Sequence, residues 1–77
     1  MKAFKSKVEF QKAVGAHIRS IRKQKRISLR EFEARAEGID RFALSRIENG
    51  ETSPNVYTLY KICEAIEVRL DEFFAEI

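Results

Sequence analysis

The sequence predicts an all-α fold of five short helices in a single domain. Apolar residues recur three and four positions apart along most of the chain, which is the period of an α-helix. Ser or Asp stands just before several of these apolar runs, where helix N-caps are found. Only three glycines and one proline interrupt the 77 residues. Together these observations favour helices joined by short connections.

The first helix begins with a capping box, in which Ser6 and Glu9 can each bind a free backbone amide of the first turn. The helix is predicted to end near residue 24 or 25. Residues 1–5 are expected to form a flexible N-terminal arm, which leaves residues 6–77 as the single folded domain. The apolar face of this helix consists of Phe10, Val14, Ile18 and Ile21.

The second and third helices are short, and each has its own start and stop signals. Ser28 and Glu31 form a second capping box, and Gly38 offers a left-handed stop after the second helix. Asp40 is predicted to cap the third helix, which ends at Asn49 and the glycine after it. Hydrophobic staples at the two starts pair Ile27 with Phe32 and Ile39 with Leu44.

The fourth helix is predicted to be capped by Ser53 and to begin at Pro54, because a missing amide at the first helical position costs nothing. A fifth helix is predicted over about residues 70–75. The apolar faces of these two helices are Val56, Leu59, Ile62, Cys63 and Ile66, and then Leu70, Phe73 and Phe74.

Charge is distributed unevenly along the chain, although the net charge is only +3. Residues 1–35 contain eleven Lys or Arg and three Glu, whereas residues 36–77 contain four Lys or Arg and nine acidic residues. This asymmetry indicates either a basic surface that faces a polyanion or a basic helix that is merely solvated.

Helices two and three, joined by a short segment around Gly38, have the helix-turn-helix pattern. In that arrangement the second helix enters the major groove of DNA with its N-terminal residues at the base edges. A pair of short helices can also be a packing unit alone.

Specific residues surround this pair of helices. The segment "LSRIENG" occupies residues 44–50, and Ser53 and Pro54 follow it before the next helix. These residues resemble the phage repressor/Cro-type (XRE) helix-turn-helix family over residues 18–74. The resemblance implies a five-helix repressor-like DNA-binding domain with its motif at about residues 28–49. The other matching residues are Ile18, Arg22, Ser28, Phe32, Ile39, Leu59, Ile62, Ala65, Ile66 and the segment "VRLDEFF".

The resemblance implies an ion pair between Arg22 and Glu48. Both residues are predicted to flank apolar positions, where a lone charge would be costly. The pair would therefore be chiefly structural. It would connect helix one to helix three, which is the helix expected to enter the major groove and is called the recognition helix below. A phosphate contact is a second role expected of Arg22.

The resemblance also implies base contacts from the recognition helix. Arginine is well shaped for bidentate contact with guanine O6 and N7, worth roughly 1–3 kcal/mol of discrimination. Phe42 could contact a thymine methyl group, or it could simply cover helix two. Arg41 and Arg46 could likewise be exposed without touching a base. The candidate base-contacting residues lie on the helix face opposite Leu44 and Ile47 and are Arg41, Phe42, Ser45 and Arg46. The family positions that look towards base edges match three of them, Arg41, Phe42 and Arg46.

Phosphate contacts are expected at the start of helix two and just after the recognition helix, by family position. Free amides and the helix dipole favour anions at a helix start. Each candidate is otherwise an ordinary solvated side chain. The candidates are Arg22, Ser28, Leu29, Arg30, Asn49 and Thr52, to which Arg19, Lys23 and Lys25 could add.

Several positions depart from the family pattern. Leu29 stands where many members have a glutamine that touches phosphate and braces the recognition helix, and Glu33 stands where alanine is usual. The interval from Ser28 to Leu44 is one residue longer than usual, which we place in the turn. Glu67 replaces a common helix-ending glycine, at a small cost in stability.

The sequence therefore predicts a small transcriptional regulator that binds double-stranded DNA sequence-specifically. A domain of this size offers few base contacts, so we expect a homodimer on a pseudo-palindromic operator. The expected interface is C-terminal, unless its phenylalanines simply close the core. The alternative function is a protein-interaction module that has lost operator reading. The expected interface residues are Tyr60, Phe73, Phe74 and Ile77.

An enzyme is the weakest interpretation, and no cofactor, metal or small-molecule ligand is expected. His17 is the only histidine, and Cys63 is the only cysteine and lies on an apolar helix face. Catalysis would need a constellation of groups that the chain does not contain. No membrane-length apolar run or secretory leader is visible, so the cytoplasm is the expected location, beside the nucleoid when bound.

Overall fold

The computed structural model describes all 77 residues and confirms the predicted all-α fold. Its principal extents are 33 × 22 × 21 Å. No helix combines the length and the apolar character that a membrane crossing requires. The five helices are α1 (Lys7–Gln24), α2 (Leu29–Arg35), α3 (Arg41–Glu48), α4 (Val56–Ala65) and α5 (Leu70–Ala75).

The first three helices begin at their predicted caps, since each cap side chain accepts a hydrogen bond from the amide three residues later. The reciprocal half of both predicted capping boxes is absent. Glu9 instead accepts a hydrogen bond from the amide of Lys5, and Glu31 pairs with Arg35 one turn along α2. The cap bonds are Glu9 N to Ser6 Oγ at 3.1 Å, Glu31 N to Ser28 Oγ at 3.1 Å, and Ala43 N to Asp40 Oδ1 at 2.8 Å.

The predicted start of α4 is wrong by two residues. Asn55 is the cap, and its Oδ1 accepts a hydrogen bond from Thr58 N at 2.8 Å. Asn and Ser are about equally good N-caps, so local preference could not choose between Ser53 and Asn55. The later start places Val56 at the first helical position, where it is 76% exposed rather than part of the buried face.

The core lies where α1 and α2 both pack against α3, with α4 and α5 completing it. Gly15 allows the backbone of α1 to approach the end of α3 closely, because a Cβ atom there would stand only 2.6 Å from the carbonyl oxygen of Glu48. The end of α3 therefore packs directly against the backbone of α1. The buried apolar residues are Val14, Ile18, Ile21, Ile27, Phe32, Ala36, Leu44, Ile47, Leu59, Ile62, Cys63, Ala65, Ile66 and Phe73.

One residue of the expected dimer interface, Phe73 on α5, is not accessible to a partner. Phe73 is fully buried, with its ring centroid 4.7 Å from that of His17 on α1, so it closes the core and offers no surface to a partner. Phe74 and Ile77 are half-buried, and Tyr60 on α4 is exposed.

A residue in the left-handed backbone conformation follows each of the first four helices. Gly38 and Gly50 adopt it at φ of 83° and 75°, as residues without a Cβ readily do. Arg26 and Glu67 adopt it at 57° and 59° after α1 and α4, where a side chain makes this conformation strained. The expected cost of Glu67 at a glycine-like position thus has a structural basis.

Candidate nucleic-acid interface

One side of α3 faces the core and the other faces solvent. Leu44 and Ile47 are buried against α1 and α2, as the helical spacing predicts. The four residues expected to contact bases lie on the opposite side. Among these, Arg41, Phe42 and Arg46 are exposed and Ser45 is half-buried.

Phe42 does not cover α2, because its side chain is 66% exposed. The guanidinium carbon of Arg41 lies 5.7 Å from the centroid of the Phe42 ring, within the range of a cation–π contact. A cation and an apolar ring therefore stand side by side at the start of the exposed face of α3.

Behind this face, Arg22 and Glu48 form a buried bidentate ion pair. Arg22 Nε lies 2.7 Å from Glu48 Oε2, and Arg22 Nη2 lies 3.0 Å from Glu48 Oε1. Arg22 Nη1 donates a third hydrogen bond to the carbonyl oxygen of Ile27, at 2.9 Å. Both charges are thereby satisfied inside the protein, as buried charges must be.

The burial of Arg22 bears on its expected phosphate contact. The residue is only 8% exposed, and its three bonds point inward, so little of the guanidinium remains for an external anion. Arg19 is the accessible arginine of this cluster. Its Nε lies 3.3 Å from Glu48 Oε1, its Nη2 donates to Asn49 Oδ1, and its side chain is half-exposed. Two arginines share one carboxylate, so the cluster has a net positive charge.

The residues expected to contact phosphate fall at two places. Ser28 and Arg30 at the start of α2 are exposed, and Leu29 is half-buried. Asn49 and Thr52 after α3 are exposed as well. Because α2 and α3 pack together, both places border the same helix pair.

The two lysines near the end of α1 differ in surroundings. Lys23 is exposed. Lys25 Nζ donates to the carbonyl oxygens of Ile66 and Glu67, each at 2.7 Å, and so caps the end of α4. The ammonium group of Lys25 is committed to the fold rather than free for a ligand.

Sequence reasoning missed two features of this region. Glu33 on α2 accepts a hydrogen bond from the backbone amide of Arg41, at 2.8 Å from Glu33 Oε2. Its presence at a position usually held by alanine was the only signal in the sequence. Val56 and Tyr57 add to the exposed apolar surface of α4 beside Tyr60, and the two tyrosine rings stack with centroids 6.2 Å apart.

Known proteins share the sequence pattern and the helical architecture of this chain. Residues 18–73 match the helix-turn-helix family, a segment that runs from the middle of α1 into α5 and includes all of α2 and α3. This is most of the chain. The protein belongs to the XRE-type helix-turn-helix family of transcriptional regulators.

Individual relatives are similar over most of their length. The uncharacterized HTH-type transcriptional regulator y4dJ of Sinorhizobium fredii (strain NBRC 101917 / NGR234) is 34% identical over 61 residues, which are 79% of this chain and 78% of that protein. Two solved structures of the clp gene regulator ClgR from Corynebacterium glutamicum are each 27% identical and each match 86% of this chain. The match covers 84% of one ClgR chain with a TM-score of 0.79, and 69% of the other with a TM-score of 0.80.

Proposed function

We propose that the protein is a transcriptional regulator that binds double-stranded DNA sequence-specifically through the exposed side of α3. The observation that carries the proposal is the pair of exposed arginines, Arg41 and Arg46, on a helix whose opposite side is locked by the Arg22–Glu48 ion pair. A rigidly held helix with a cationic outer side fits the major groove in shape and charge. Such a protein would act beside the DNA, in the cytoplasm.

Each residue of the exposed side has a chemical role in this proposal. Arg41 and Arg46 would contact guanine O6 and N7, at roughly 1–3 kcal/mol of discrimination for each bidentate pair. The exposed ring of Phe42 would pack on a thymine methyl group, and the hydroxyl of Ser45 would bind either a donor or an acceptor on a base edge.

Phosphate contacts would set the position of α3 in the groove without selecting a sequence. Arg30 supplies an exposed charge beside the start of α2, and Arg19 supplies another beside Asn49. Ser28, Leu29, Asn49 and Thr52 would contribute neutral groups, among them backbone amides. Arg22 is assigned to the ion pair, where it supports these contacts from within.

We further propose that the protein acts as a homodimer on a pseudo-palindromic operator. Specific binding to genomic DNA needs more contacts than one short helix supplies. A two-fold dimer would read two half-sites about one helical turn apart. The surface remaining for the interface is the exposed ring of Tyr60 with the half-buried Phe74 and Ile77.

The test is selection of bound duplexes from a random pool, carried out with the wild type, Arg41→Ala and Arg46→Ala. We expect a site with two related halves, and each substitution should relax the preference at one position per half. Arg69→Ala is a matched control, because it removes the same charge from an exposed arginine at the start of α5. Unchanged preference in both recognition-helix variants would contradict the contact assignment.

The second candidate is a protein-interaction module on the same fold. The observation that favours it is the exposed apolar surface of Val56, Tyr57 and Tyr60 on α4. Salt dependence separates the two functions. DNA binding through several Lys and Arg weakens steeply as salt rises, whereas an apolar protein contact does not.

A further inference from the structure

The start of the recognition helix is held by a residue from the neighbouring helix. Glu33, on α2, places Oε2 at 2.8 Å from the backbone nitrogen of Arg41, the first residue of α3. The two residues are eight positions apart and lie on opposite sides of the turn that contains Gly38. Leu29, one helical turn before Glu33, offers α3 no polar side-chain group.

This hydrogen bond has a physical reason to form. The first amides of a helix have no acceptor within the helix, and the positive end of the helix dipole lies there. A carboxylate at that point makes a charge-assisted bond, which is stronger than a neutral one. Asp40 satisfies the amide of Ala43 from within the same segment, so Glu33 is the carboxylate that links the start of α3 to α2.

The bond acts on the residue that the proposed function assigns to a base. It holds the backbone of Arg41 itself, and so restrains the point from which that side chain leaves the helix. Arg46 lies near the other end of α3, where Leu44, Ile47 and Glu48 are buried against the rest of the protein. The placement of Arg41 should therefore depend on Glu33, whereas that of Arg46 should not.

We propose that Glu33 is a positioning residue that determines base preference by placing Arg41. This inference rests on the proposed DNA-binding function. Bidentate contact between guanidinium and guanine needs both hydrogen bonds in good geometry, and hydrogen bonds weaken steeply when misaligned. Loss of the link to α2 should therefore weaken discrimination at the base read by Arg41, even with the arginine still present.

The experiment measures relative affinities for every base at each position of the selected operator. Glu33→Ala removes the acceptor, and Glu33→Asp keeps the charge but is one methylene shorter. Both should lower discrimination at the position relaxed by Arg41→Ala, by about tenfold. Glu33→Gln keeps the length and an acceptor oxygen but loses the charge, so it should lower discrimination clearly less than Glu33→Ala does. Glu33→Asp keeps the proposal testable if Glu33→Ala does not fold.

Glu31→Ala is the matched control, because it removes an equal charge from the same helix without touching α3. It should leave the base preference unchanged. In the Arg41→Ala background, Glu33→Ala should cause no further loss of discrimination at the base position that Arg41→Ala relaxes. Glu33→Ala should also leave discrimination unchanged at the base position that Arg46→Ala relaxes.

The outcomes separate this inference from the proposed function. A wild type without base preference would end both. If Arg41→Ala relaxes one position while Glu33→Ala and Glu33→Asp leave it intact, the function stands and the positioning role is wrong. Glu33→Gln behaving like Glu33→Ala would overturn the inference. So would a further loss caused by Glu33→Ala in the Arg41→Ala background, because Glu33 would then read the base itself.

Discussion

Arg22 and Glu48 join α1 to the end of α3 through two hydrogen bonds, of 2.7 and 3.0 Å, in the protein interior. Removing one partner would leave the other charge buried and uncompensated. We expect Glu48→Ala to lower the free energy of unfolding by about 3–5 kcal/mol. Urea unfolding followed by circular dichroism measures this loss.

Glu37→Ala is the control for this substitution, because Glu37 is exposed and its carboxylate forms no ion pair. Its effect should lie within about 0.5 kcal/mol of zero. The double variant Arg22→Met/Glu48→Leu should lose less stability than Glu48→Ala, since it removes both charges. A loss below about 1 kcal/mol for Glu48→Ala would show that the ion pair does not secure α3.

Gly15 brings α1 against the last carbonyl groups of α3. Alanine normally stabilises a helix interior by roughly 0.5–1 kcal/mol relative to glycine. Here the added methyl group would collide with backbone oxygens of Ile47 and Glu48, which cannot move aside as a flexible side chain can. We expect Gly15→Ala to destabilise the protein by about 1–3 kcal/mol in thermal or urea unfolding. Ser20→Ala, at an exposed position of α1, should be neutral or slightly stabilising, and a gain at Gly15 would refute the close contact.

Glu67 holds a left-handed conformation after α4, at a φ of 59°. Glycine adopts this conformation without strain, so Glu67→Gly should raise the free energy of unfolding by about 1 kcal/mol. The melting temperature should rise by roughly 4–8 °C, as measured by calorimetry. The carbonyl oxygen that binds Lys25 is retained in this variant. Glu64→Gly, inside α4, should have the opposite sign.

Burial raises the pKa of the Cys63 thiol from 9.0 to about 11. Between these values the thiol stays protonated in the folded protein while it ionises in the unfolded chain. The folded state then binds more protons, so the contribution of Cys63 is intact below pH 9 and is lost as pH rises towards 11. The difference in unfolding free energy between the wild type and Cys63→Ala should shrink over this window. A constant difference would contradict the shift.

Arg30 is exposed beside the start of α2 and is a proposed phosphate contact. Arg30→Ala should weaken DNA binding about equally for all sequences and reduce the slope of log affinity against log salt by about one. Fluorescence anisotropy with one duplex over a salt series gives this slope. Arg69→Ala carries the same charge change on another helix, and an equal decrease with it would point to a general effect of net charge.

Much of the fold could be predicted because its signals are local. A cap side chain contacts an amide three residues away, and the apolar period repeats within a few turns. Ser6, Ser28 and Asp40 therefore identify the starts of three helices, and α5 has its predicted bounds. The exposed side of α3 also follows from spacing once Leu44 and Ile47 are recognised as buried.

The sequence by itself determined the helical class, most helix boundaries and the motif on which the family resemblance rests. Only the tertiary structure decided that Asn55 rather than Ser53 caps α4, and that Val56 is exposed. It also decided that Phe73 is buried and that Glu33 contacts the amide of Arg41. Each of these outcomes depends on which elements meet in space. Local preference is nearly equal for the competing arrangements, so contacts between distant residues supply the free energy that selects one of them.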